Sequence, residues 1–165
     1  MMAAIPTTTP IAFRDAILAT CRSYFAGEVA QVGPLTLDDS ENLGATLVTP
    51  AILLTLDSMT PVEDEPAWRH SLTCTCTLYG VLSLKTADLQ GELAEFALAL
   101  ESMIRNAHAG ELLPLSGNDW GLGQAVGPAS QILLQPVDIG LNGRAAWGVK
   151  WSQLVYFSGI LPPTV

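Results

Sequence analysis

The chain has 165 residues, a formal net charge of -9 and a pI near 4.4. Its seven Lys and Arg are scattered, which argues against non-specific binding of nucleic acid or of an anionic membrane surface, since both need clustered cations to replace counterions. No apolar run approaches the roughly 18 residues that cross a bilayer, although hydrophobic residues make up 49% of the chain and charged residues only 14%.

The first nine residues carry neither a basic segment nor an apolar one, so they read as a short flexible arm and not as a signal peptide. Thr9-Pro10 is an N-cap followed by proline at the first helical position. Phe13, Ile17, Cys21 and Tyr24 recur at helical spacing, and Gly27 can end the helix, which is therefore expected over 10 to 26. Residues 28 to 48 are ambiguous, with a short strand or an arm around Val32 to Leu37. Residues 51 to 57 read as a central strand with Ile52, Leu54 and Leu56 on one side. Two prolines with Glu63, Asp64 and Glu65 make 58 to 67 a solvated loop.

A long strand is expected over 68 to 82. Within it His70, Leu72, Cys74, Cys76 and Leu78 alternate with Ser71, Thr73, Thr75, Thr77 and Tyr79. A period of two gives one mostly apolar face and one face of hydroxyls. Thr86 then caps a helix over 87 to 107, with Asp88 in its first turn and Leu89, Leu93, Phe96, Leu100, Met103 and Ala107 on one apolar face. Gly110 lies just beyond.

Residues 114 to 130 are rich in Gly, Pro and Ser and read as a long loop with a helical turn near Trp120. Ile132 to Ile139 is strand-like but holds Pro136, the mark of an edge or a bulge. Leu141-Asn-Gly-Arg is a hairpin signal. Ala145 to Phe157 alternates again, with Trp147, Val149, Trp151, Val155 and Phe157 on one face and Lys150, Ser152 and Tyr156 on the other. Pro162-Pro163 stops the chain, leaving 159 to 165 as a tail.

These elements make one α+β domain over 1 to 165: a mainly antiparallel sheet of about four to five strands with two helices on one face. An average soluble domain carries about 25% charged residues. A chain with far fewer, and with no membrane span, points to a surface partly covered by other subunits. A monomer rich in surface Thr, Ser and Gln is the alternative.

The residues do not spell out a reaction. Asp57, Glu63, Asp64 and Glu65 lack the ligand spacing and glycine of a calcium loop. His70 and His108 lie on different elements, and Cys74-x-Cys76 is not a zinc knuckle. Cys21, Cys74 and Cys76 have no disulfide framework spacing and read as buried thiols in a reducing cytoplasm. Gly121-x-Gly123-x-x-x-Gly127 has no strand immediately before it and Pro128 after it, unlike a dinucleotide loop. No catalytic residue, cofactor or metal is expected. The candidate interface is the row Ser71, Thr73, Thr75, Thr77 and Tyr79, with Lys150 and Trp120. Ordinary solvated strands place Lys or Glu where this row has hydroxyls, so the row is a candidate for contact with a subunit, a helix or a lumen. Trp68, Trp147 and Trp151 read as core or unassigned bulk. Trp120 is either an interface anchor or a residue tucked onto its own core.

The order of elements, the strand Pro50-Ala-Ile-Leu-Leu, the long central strand, the amphipathic helix and the closing strand Trp147-Gly-Val-Lys-Trp-Ser-Gln resemble the tail terminator and minor tail proteins of long-tailed bacteriophages. The resemblance spans most of 10 to 158. It implies a hexameric ring at the head-proximal end of the tail, assembled in the host cytoplasm and kept in the virion. The ring's partners would be the tail tube protein and the head–tail connector. Genomic DNA would pass through the lumen without specific binding, since a lumen of like charge repels it. Another neck, head-completion or baseplate protein is the second reading. A small hydrolase using Asp57, Asp64 or Cys74 is the third.

Overall fold

The computed structural model describes residues 7–35, 47–62, 70–105 and 117–158. The first helix, α1 (Pro10–Tyr24), begins as its sequence asks: the Thr9 hydroxyl accepts the Ala12 N–H at 3.1 Å, and proline fills the first turn. It buries Phe13, Ile17, Leu18 and Cys21. It ends two residues before the expected boundary, where the Phe25 N–H turns back to the Cys21 carbonyl.

The ambiguous region contains a short strand, β1 (Gln31–Pro34), which pairs parallel with β2 (Ala51–Pro61). β2 runs on past the expected end at 57 because a bulge between Leu56 and Ser58 takes Asp57 out of register. Pairing with β3 (His70–Ser83) then resumes at Ser58–Thr75 and continues to Pro61–Leu72. Glu63, Asp64, Glu65 and Trp68 lie outside the described residues, as do His108 and the side chain of His70.

The second helix, α2 (Leu89–Ile104), is shorter than expected and is not capped by Thr86. Its N-cap is Asp88, in the left-handed region at φ 49°. The Thr86 N–H instead closes a turn onto the Ser83 carbonyl. Gly91 leaves the space that the Asp88 carboxylate occupies, since a Cβ there would lie 2.5 Å from Asp88 Oδ2. Leu93, Ala97, Leu100, Met103 and Ile104 are buried, with Phe96 packed against them. Ala107 and Gly110 lie outside the described residues.

The Gly-rich stretch is a shorter loop than its composition indicates. A 3-10 turn over Gly123–Ala125 leads straight into β4 (Val126–Val137), so Gly127 and Pro128 belong to a strand. β4 tolerates Pro128 and Pro136 because it is an edge strand with two register shifts against β5 (Arg144–Phe157).

The five strands lie in the order β1-β2-β3-β5-β4, antiparallel except for β1–β2. β3 is central, paired along its whole length with β5. Both helices pack on the face carrying Ile52, Leu54, Cys74, Cys76, Leu78, Val149, Trp151 and Val155. The fold is a two-layer α+β sandwich. On the other face a smaller cluster of Leu47, Ala51, Leu53, Val81, Leu141 and Ala146 covers one end of the sheet. The expected free arm ends before Thr8, which bridges to Phe157 and bonds the backbone of Tyr156 and Ser158. Residues 1–6 and the tail 159–165 lie outside the described residues. No helix among the described residues is long and apolar enough to cross a membrane.

Candidate functional site

The hydroxyl row of β3 lies on the face away from the helices, and register extends it sideways. Thr77 stands between Thr55 of β2 and Lys150 of β5; Thr75 stands between Ser58 and Ser152; Thr73 stands between Thr60 and Leu154. The Thr75 and Ser152 hydroxyls are 3.1 Å apart. The bulge at Asp57 keeps this face polar. Without the extra residue, Ser58 and Thr60 would turn toward the helices and Met59 away from them.

The Asp57 carboxylate is held by two of these hydroxyls. Thr77 Oγ1 donates to Oδ2 at 2.5 Å and Thr55 Oγ1 to Oδ1 at 2.7 Å. The Tyr79 hydroxyl lies 3.3 Å from Thr55 Oγ1. The Asp57 oxygens serve as acceptors that tie β2 to β3. Among the described residues no cluster of three or more His, Cys, Asp or Glu is placed to hold a metal.

The candidate interface residues therefore divide. Lys150 is exposed, and Thr73, Thr75 and Tyr79 are half-buried. Ser71 and Thr77 are buried within the chain, at 3% and 6% exposure, and offer a neighbour little surface. Both are short side chains on β3, which has a strand on either side. Ser71 Oγ is buried with no hydrogen-bond partner among the described residues.

Trp120 is not an exposed anchor. It is 4% exposed, its ring 5.8 Å from that of Trp151, with a left-handed backbone at φ 58°. Asn118 sets up this conformation. Its Nδ2 donates to the Met103 carbonyl at the end of α2, and its Oδ1 accepts the Trp120 N–H at 2.8 Å. The residue that draws the indole inward is Gln153, the last residue of the Trp-rich motif of β5 and not among the candidate interface residues. Gln153 is 1% exposed. Its Oε1 accepts the indole N–H of Trp120 at 2.9 Å and that of Trp151 at 2.8 Å. Its Nε2 donates to the carbonyls of Asn118 and Gly127. All four hydrogen-bonding positions of the amide are used, as a deeply buried amide requires. The available signal was a lone amide on the apolar face of a Trp-rich strand.

The three thiols are buried, as expected. Burial pushes Cys21 up to about 12 and Cys74 up to about 11, and raises Cys76 further with help from its neighbours Cys74 and Asp57. They stay protonated at neutral pH and lack nucleophilic character.

Two concavities border the helical layer. One, of about 470 Å³, lies between α1 and the Trp120 loop, lined by Ala16, Thr20, Tyr24, Met103, Asn118 and Asp119 among others. The other, of about 260 Å³, lies where the end of α1 meets the first half of α2. Phe25 and Phe96 contribute apolar surface to it, and Glu28, Glu92 and Glu95 contribute carboxylates. Phe96 sits directly over Gly80 of β3, where a Cβ would fall 3.0 Å from the ring.

No family model matches the chain, and no curated protein matches it either.

Proposed function

We propose that this protein is a structural, non-enzymatic virion component, a tail terminator of a long-tailed bacteriophage. On this reading it forms a hexameric ring that caps the tail tube and meets the head–tail connector. The observation that carries the reading is the sheet face opposite the helices. It is hydroxyl-lined across β2, β3 and β5, with Asp57 and Lys150 as its charges in the hydroxyl rows, in a chain with 14% charged residues. Such a face can be desolvated by a neighbour without stranding many charges. The groups that might have argued for catalysis are otherwise engaged: the thiols are protonated, and Asp57 is held by Thr55 and Thr77. The net charge of -9 per chain suits a ring through which DNA passes without adhering.

Native mass spectrometry and negative-stain microscopy of the purified chain, alone and with purified tail tubes, test the proposal. A six-fold ring seated on one end of the tubes is expected. A strict monomer with no affinity for the tubes would overturn it. A ring found elsewhere in the virion would favour a baseplate or head-completion role.

A further inference from the structure

Both edges of the sheet resist the addition of another strand. In β1, the N–H groups of Gln31 and Leu35 point to β2, donating to the carbonyls of Pro50 and Leu54, so Val32 and Pro34 face outward. The Val32 carbonyl already accepts from Arg22 at 3.2 Å, and Pro34 has no N–H to give. β4 carries two prolines, two bulges and a left-handed residue, Gln131 at φ 56°. Edges blunted in this way are closed to strand pairing between chains. Among the described residues this favours the faces of the sheet over its edges for contacts between copies.

The two faces offer one complementary pair of charged features, the hydroxyl face also carrying Asp57, whose carboxylate is held by Thr55 and Thr77. On the hydroxyl face Lys150 is exposed in the middle of β5. Among the described residues four other cations are engaged: Arg14 with Asp15, Arg105 with Glu101, Arg22 with Val32 and Arg144 with Leu47; Arg69 lies outside the described residues. Lys85 sits in the turn beyond β3. Lys150 has no side-chain partner among the described residues. The helical layer on the opposite side holds the pocket formed by Phe25 and Phe96, whose ring centroids are 6.1 Å apart, with Glu28, Glu92 and Glu95 around it.

We propose that copies of this chain associate front to back, with Lys150 of one subunit entering the Phe25–Phe96 pocket of the next. The lysine stem lies on the apolar floor, and its ammonium meets the glutamates and the aromatic faces. Because the two patches lie on opposite sides of one subunit, the contact is heterologous and repeats from copy to copy, and it closes into a ring when the rotation between copies divides a full turn. The inference rests on the ring reading above and specifies its interface.

The test is native mass spectrometry of four forms: wild type, K150E, the double variant E92K/E95K, and the triple variant K150E/E92K/E95K. Circular dichroism confirms that each is folded. The expected result is rings for wild type, their loss in K150E and in E92K/E95K, and their return in the triple variant, where the charges of Lys150 and of Glu92 and Glu95 are exchanged and Glu28 is kept. The four forms are measured alone and with purified tail tubes; a wild type that stays monomeric alone and shows no affinity for the tubes would overturn the ring reading itself. Rings that persist in K150E would overturn the Lys150 contact and leave the ring reading standing. Rings that survive K150E but are lost in E92K/E95K would assign the pocket to a different cation. A folded triple variant that stays monomeric would also overturn the pairing.

Discussion

The indole of Trp120 and the amide of Gln153 meet at 2.9 Å, across 33 positions of sequence, inside the helix-facing side of the sheet. With the bonds from Gln153 Nε2 to the Asn118 and Gly127 carbonyls, this contact fastens the Gly-rich loop to β5, and the bond to Trp151 fixes the amide's orientation. Replacing Gln153 with leucine keeps the volume and removes the acceptor for two buried N–H groups. Each donor left unsatisfied costs about 1–3 kcal/mol, so Gln153→Leu is expected to lose more than about 2 kcal/mol. Urea denaturation measures the loss. Tryptophan fluorescence should shift to the red as Trp120 is released to water.

Trp120 itself is expected to behave as a core residue. Trp120→Ala should destabilise the fold by about 3–5 kcal/mol, the range for a buried aromatic truncated to alanine. A surface anchor would leave the denaturation midpoint of the single chain nearly unchanged. A small stability effect would therefore contradict the buried position.

On the opposite face the hydroxyls are not equivalent. Thr77 is buried and donates to Asp57, whereas Thr73 is half-buried with no such acceptor among the described residues. Thr77→Val should cost about 1–2 kcal/mol, the value of a hydrogen bond to a charged group reduced by the exposure of Asp57. Thr73→Val should be close to neutral. Equal effects in the two variants, read from chemical denaturation, would show that the Asp57 bond contributes nothing.

The buried thiols make stability depend on alkaline pH. Their folded values lie above the ordinary 9.0, with Cys74 raised to about 11 and Cys21 to about 12. In the unfolded chain they ionise near the ordinary value, so above it the unfolded state binds fewer protons than the folded one. Their stabilising contribution is complete below about pH 9 and falls as pH rises through the folded values. The denaturation midpoint should drop between pH 8 and about 11, and Cys74→Ala should lessen that drop relative to its own value at pH 8. At neutral pH a thiol reagent should react with the folded chain far more slowly than with the urea-unfolded chain.

Gly80 marks where α2 presses closest to β3. A methyl group there meets the Phe96 ring at 3.0 Å, so Gly80→Ala is expected to cost about 1–3 kcal/mol through overpacking. Gly33, whose Cβ would meet nothing within 4 Å and whose φ is not in the left-handed region, is the matched control. Gly33→Ala should change the thermal midpoint little.

Periodicity made the elements legible. The Thr9-Pro10 cap, the helical spacing from Phe13 to Cys21, the alternation of β3 and β5, and Pro136 as the sign of an edge all appear in the structure where local chemistry placed them. These features depend on residues close together in the chain, so a sequence can show them. Boundaries set by a remote partner were not legible. β2 continues past Asp57 because β3 accepts the bulge, and β4 begins early because β5 holds Val126 and Ala129 in place.

The sequence by itself determined an acidic, low-charge α+β chain with one apolar and one hydroxyl face on its long strand, because composition and a period of two are properties of the chain alone. Only the tertiary structure decided what each polar group meets. It joined Thr77 to Asp57 across a bulge, took Trp120 inward onto Gln153, and set Lys150 and the Phe25–Phe96 pocket on opposite sides of one subunit. The reason is physical. A hydrogen bond or an exposed charge has meaning only relative to its neighbours in space, and those neighbours are assigned by strand register and helix packing between residues far apart in the chain.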